Sequence, residues 1–157
     1  MTPFEVATTP GESKKLRKKA GSSAQSTFWV APARTSAFAA ALLSGDPACE
    51  RAALVVEETS HVLYNVGPLI ARPPERSLPR DTTIAATGRE ASASLLAAAL
   101  SDYVDFWFVP SPGGFVLYAD NDEYATVLAP RQGSVSKAVD RLLATGFAEV
   151  VDYERRW

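Results

Sequence analysis

The chain has 157 residues, 46% hydrophobic and 22% charged, with a formal net charge of −2; this is the composition of one folded domain and excludes a wholly disordered chain. A single Cys and a single His exclude an intramolecular disulfide, a cysteine zinc cluster and a multi-histidine metal site. No apolar run approaches the ~18 residues of a bilayer crossing, and Met1 to Glu5 carry no basic-then-apolar leader, so a cytoplasmic protein is expected.

Residues 1–27 read as a flexible basic arm. Large apolar side chains are few there and Gly, Ser, Thr and Pro recur, so little apolar burial is available to offset the entropy of ordering. Residues 1–26 hold five basic side chains (Lys14, Lys15, Arg17, Lys18, Lys19) against Glu5 and Glu12, whereas residues 27–157 hold 11 basic against 16 acidic. A basic arm on an acidic body follows. The Lys14–Lys19 cluster suits a solubilising tail or a non-specific phosphate contact to nucleic acid.

The body, residues 28–157, reads as a single α+β domain. Pro32 opens a first helix whose face is Ala37, Phe38, Ala41 and Leu42, ended by Gly45. Asp46-Pro47 is an N-cap and N1 pair for a second helix over 47–66, with Ala52, Val55, Val56, Thr59, Val62, Leu63 and Val66 on one stripe. A hairpin with strands near 53–58 and 61–66 competes with it, favoured by the valines and disfavoured by a Thr59-Ser60 turn. Residues 67–86 form a long proline- and arginine-bearing connection. Thr87 and Glu90 make a capping box for a third helix with Leu95, Leu96, Ala99, Leu100 and Tyr103 inward. The period then changes to two. Val104–Val109, Phe115–Ala119 and Tyr124–Leu128 read as an antiparallel meander turned at Pro110–Gly114 and Asp120–Glu123. A fourth helix, capped by Ser134, buries Val135, Ala138, Val139, Leu142 and Leu143, and Gly146 closes it in a Schellman motif. A C-terminal strand through Val150, Val151 and Tyr153 completes the sheet. The expected fold is a two-layer α+β sandwich, a mostly antiparallel sheet with helices packed mainly on one face.

Candidate chemistry is sparse. The chain has no phosphate-binding glycine loop, GxSxG elbow, HExxH or CxxC pair, so no catalytic residue, cofactor or metal is assigned. On a helix, His61 and Glu57 would form an i, i+4 surface pair. Cys49 would lie in a first helical turn as a small apolar residue. Asp120, Asp122 and Glu123 suit a tight turn or an acidic contact. Alternation puts Trp107 and Tyr118 on the sheet face away from the helices, where an aromatic patch marks a binding surface. The expectation is a non-enzymatic protein that engages a protein partner through Trp107, Tyr118, Asp120, Asp122, Glu123 and Tyr124, assisted by Arg72 and Arg76. The alternatives are a small-molecule-binding or metal-dependent enzyme with its pocket under the 67–86 loop, and a nucleic-acid-associated protein using Lys14, Lys15, Arg17, Lys18 and Lys19. Self-association is compatible with any of them.

Overall fold

In the computed structural model, residues 2–45 and 48–157 are described. The expected cap at Asp46-Pro47 lies outside them. The elements in chain order are β1 (Phe4–Thr8), α1 (Glu12–Ala20), β2 (Ala24–Trp29), a 3-10 turn (Pro32–Arg34) leading into α2 (Thr35–Leu42), β3 (Arg51–Glu58), α3 (Val66–Leu69), β4 (Thr82–Thr87), α4 (Arg89–Ser101), β5 (Asp105–Ser111), β6 (Val116–Ala119), β7 (Tyr124–Ala129) and α5 (Gln132–Ala144). The strands form one open sheet in the order β1-β4-β3-β5-β6-β7-β2, antiparallel at every pairing. The α+β architecture and the β5-β6-β7 meander are as expected from the alternation.

Residues directly opposite in an antiparallel pair share a sheet face, so the register divides the side chains. One face carries Leu54, Val56, Ile84, Phe106, Phe108, Leu117, Val127 and Phe28, all buried beneath α2, α4 and α5. Phe38, Leu42, Leu95, Leu96, Val135 and Leu142 descend from those helices into the same core. Each fully buried side chain of this size stabilises the fold by about 1.5–3 kcal/mol. The C-terminus of α5 closes as the sequence predicts. Gly146 has φ 92, its N–H donates to the Leu143 carbonyl, and the Phe147 N–H donates to the Leu142 carbonyl, both at 3.0 Å. Phe147 then meets Phe38 edge-on at 5.2 Å.

Several local expectations are corrected. The segment 1–27, read as a flexible arm, is folded into the sheet as both edge strands and a helix. The helix expected over 47–66 is replaced by β3. This strand is flanked by β4 and β5 and buries Leu54 and Val56 on one side and Val55 and Glu57 on the other. A strand covered on both faces shows a continuous apolar run rather than alternation, and that run also satisfies a helical stripe. The hairpin partner at 61–66 does not form; the chain turns there into α3. Thr87 ends β4, so the capping box is not made, and Gly88 (φ 96) is the N-cap of α4. Ser134 lies inside α5, whose N-cap is Arg131. The expected last strand is reduced to one bridge, Phe28 to Glu149, with Val150 N–H donating to Thr27 at 2.8 Å. Among the described residues, no helix is long and apolar enough to cross a membrane.

Candidate functional site on the open sheet face

The second face of the sheet carries Thr83 on β4, Ala53, Val55 and Glu57 on β3, Trp107 and Val109 on β5, Val116 and Tyr118 on β6, and Thr126 and Leu128 on β7. Its cover comes from α1, which lies between β1 at one sheet edge and β2 at the other. A remote cap fixes the start of α1. The backbone N–H groups of Gly11 and Ser13 donate to the Asp81 carboxylate at 2.9 and 3.0 Å, and the Ser13 hydroxyl donates at 2.6 Å. These bonds, the hydroxyl first, hold the Asp81 carboxyl below its ordinary range. An acid at a helix N-terminus also meets the positive end of the helix dipole.

On the inner side of α1, Leu16 and Ala20 pack on Val55, Trp107, Tyr118 and Leu128. Arg17 goes down with them. Its Nε and Nη2 donate to Glu57 at 3.2 and 2.6 Å, and its guanidinium lies 5.5–5.9 Å from the ring centres of Trp107, Tyr118 and Trp157. Glu57 also accepts from Trp107 Nε1 at 2.8 Å. A buried carboxylate is tolerable here because each oxygen has a charged or N–H donor. The same bonds raise the Arg17 pKa. Burial, then the Glu57 charge, pushes the Tyr118 hydroxyl up to about 12.

The C-terminal segment covers the sector beside this cluster. The guanidinium of Arg155 donates to Thr126 Oγ1 at 2.7 Å, Asp120 at 2.9 Å and the Tyr124 carbonyl at 3.0 Å. Trp157 lies 5.2 Å from both Trp107 and Tyr118. Burial, and the hydrogen bond that its protonated form donates to Asp122, push Asp120 up to about 6 despite Arg155. Asp122, accepting from Asp120 and from the Tyr124 N–H, is held low despite its burial.

The remainder of the face is a trough of about 1010 Å³ beside α1. Its floor is Ala53, Val55, Trp107, Val109, Val116 and Leu128, and Leu16 and Ala20 form one wall. From Thr83 on β4 to Leu128 on β7 the floor crosses four strand spacings, about 19 Å. The charged rim is polarised. Glu12, with Thr9, stands at the β4 end where α1 begins. Lys19 and Arg131, with Ser22, Ser23 and Ser134, stand at the far end, where Ala24 pairs with Ala129.

The sequence-predicted residues are thereby redistributed. Trp107 and Tyr118 are 1% and 5% exposed, so the expected open aromatic patch is instead a second core under α1 and the C-terminal segment. Asp120 and Asp122 are taken up by Arg155. Glu123 accepts from Trp29 Nε1 at 3.2 Å and the Tyr103 hydroxyl at 2.9 Å, and Tyr124 packs on Tyr153 at 4.9 Å. Arg72 and Arg76 lie on the connection between α3 and β4, half-buried and exposed respectively; that connection closes on the core through Leu78, and the trough lies elsewhere. Lys14, Lys15, Lys18 and Lys19 stay exposed while Arg17 turns inward. His61 meets the Tyr103 ring at 5.8 Å rather than Glu57. Cys49 is buried before β3, its thiol donating to the Arg51 carbonyl at 3.2 Å, and is in no helix. The sequence reading missed Arg17 as an inward residue, Glu57 as its partner, Arg155 as the clamp and Arg131 at the trough.

Comparison of the chain with protein-family models, curated proteins and solved structures found no match.

Proposed function

We propose that the protein is a binding protein and that the trough on the open sheet face receives an elongated, mainly apolar ligand. The observation that carries this is the trough itself, an apolar concavity of about 1010 Å³ on an ordered sheet. Ligand sites are typically ~300–1000 Å³, mostly apolar, with a few polar groups that fix orientation. On the floor, Ala53 presents a small side chain opposite Ala85 and Val109 in the register. Filling that position tests the reading. The uncharged probe N-phenylnaphthylamine brightens on entering an apolar site. It is expected to bind the full chain saturably and to lose that binding in Ala53→Phe, with the urea transition retained. A parent that does not bind the probe, or an Ala53→Phe protein that binds it equally, rejects the proposal.

A protein partner is a second reading, supported at one sheet end. Trp29 is 48% and Tyr64 72% exposed, and Glu58 and Glu123 stand at the same end. Such a surface suits a basic partner. Titration with oligolysine should then show salt-sensitive binding that Trp29→Ala weakens; an absence of binding at low salt counts against it.

A further inference from the structure

Resting on the trough as the binding site, we infer that its ligand is a single-chain amphiphile with one anionic end, seated with the anion at Lys19 and Arg131 and the chain running toward Glu12. The apolar body follows from the floor. The backbone groups of a central strand are spent in the ladder on both sides, so Ala53, Val55, Val109 and Val116 present only hydrocarbon. An extended peptide laid there would leave its own N–H and C=O groups without partners, which is costly, whereas an alkyl chain has none to satisfy. The anionic end follows from the rim. Lys19 lies in the last turn of α1, shortly before β2, and Arg131 follows β7 after Pro130; the Ala24–Ala129 pair brings these two chain segments together. Both side chains line the trough. At the β4 end the charged lining residue is Glu12, which repels a second anion there. The trough therefore selects a monoanion over a dianion of the same length.

The test is displacement of N-phenylnaphthylamine from the full chain by three ligands of one chain length, each below its micelle threshold: tetradecanoate, tetradecanol and tetradecanedioate. Two exposed cations at the anionic end should make the acid about tenfold tighter than the alcohol. Lys19→Gln with Arg131→Gln should remove most of that advantage and leave the alcohol unchanged. The diacid should bind more weakly than the monoacid, and Glu12→Gln should narrow that difference. Equal displacement by acid and alcohol, or an acid advantage that survives the double substitution, overturns the inference while probe binding leaves the trough reading standing. Stronger displacement by an uncharged apolar peptide than by tetradecanoate also overturns it. A parent that binds no probe removes the trough reading and this inference together.

Discussion

Replacing Arg17 by Met keeps most of the side-chain stem over Trp107, Tyr118 and Trp157 and removes the charge. What is left behind is Glu57, whose side chain is 6% exposed, with Trp107 Nε1 as its remaining donor among the described residues. Stripping one partner from a buried ion pair costs about 3–5 kcal/mol. The Arg17 side chain is 38% exposed, so water can replace part of what it supplies, and the cost should fall to about 2–3 kcal/mol. For a domain of this length that corresponds to a drop in Tm of roughly 4–12 °C. Glu57→Gln removes the charge that needs compensation, so the double variant should be less destabilised than the two single costs added. The assay is urea unfolding followed by tryptophan fluorescence, run as a double-mutant cycle, with a coupling of about 1.5 kcal/mol or more expected. A cost below about 0.5 kcal/mol for Arg17→Met, with no coupling, would show that the pair behaves as a surface contact. In that case α1 is not anchored through it.

Deleting residues 1–23 removes an edge strand and α1 and exposes Val55, Trp107, Tyr118 and Leu128; cooperative thermal unfolding should be lost, and a Tm within ~2 °C of the parent would refute the second core. Leu142→Ala, at a fully buried position, should cost about 2–5 kcal/mol in urea unfolding, and near-neutrality would contradict the packing of α5. Gly146→Val should destabilise because a β-branched residue resists φ 92, whereas the same substitution at an exposed helical surface would cost little. The Asp120 carboxyl, pushed up to about 6 from 3.8, binds its proton more tightly in the folded than in the unfolded chain. Its contribution is therefore fully present below about pH 4 and is lost as pH rises through 6; it amounts to about 1 kcal/mol after allowing for partial exposure and for Arg155. Asp120→Asn should flatten the stability profile between pH 4 and 6, and an unchanged slope in urea titrations across that range would refute the assignment.

The meander and α5 were legible in the sequence. β5 to β7 are short apolar runs bounded by turn residues, and α5 repeats Val135, Ala138, Leu142 at helical spacing before Gly146, so local pattern and tertiary environment agree. Two kinds of element were not. β3 is covered on both faces, so Leu54, Val55 and Val56 carry no period that separates strand from helix. The helix α1 carries one large apolar side chain, Leu16, on a stripe with Ser13, Arg17 and Ala20; its tertiary anchoring comes from Asp81, 68 and 70 residues away, and from Glu57. Composition counted Arg17 as one more solvated charge among lysines, because its partner is forty residues distant in sequence. The candidate site shared that fate. Its floor residues were on the expected face, but the wall and Lys19 of the cationic rim come from the segment that composition assigned to disorder.

The trough follows from a length mismatch in that same segment. The chain must pass from β1 at one edge to β2 at the other, six strand spacings or about 29 Å. The nine residues of α1 supply about 14 Å of helix, and the short connections at 9–11 and 21–23 supply the rest. One helix of that length cannot cover a seven-stranded sheet. The sector over Trp107 and Tyr118 is completed by Arg155 and Trp157, which must be drawn in because an uncovered indole and phenol of that size would leave a large apolar patch. The sector over Ala53, Val109 and Val116 has small or branched side chains instead, so leaving it partly open costs less. The stability of α1 on the sheet and the shape of the trough are thus coupled: a substitution that loosens Arg17 from Glu57 should also weaken binding of N-phenylnaphthylamine, although Arg17 does not line the trough. Arg17→Met is expected to reduce probe affinity severalfold under conditions where the protein remains folded. Unchanged affinity in that variant would mean that the wall formed by Leu16 and Ala20 is held in place without the ion pair.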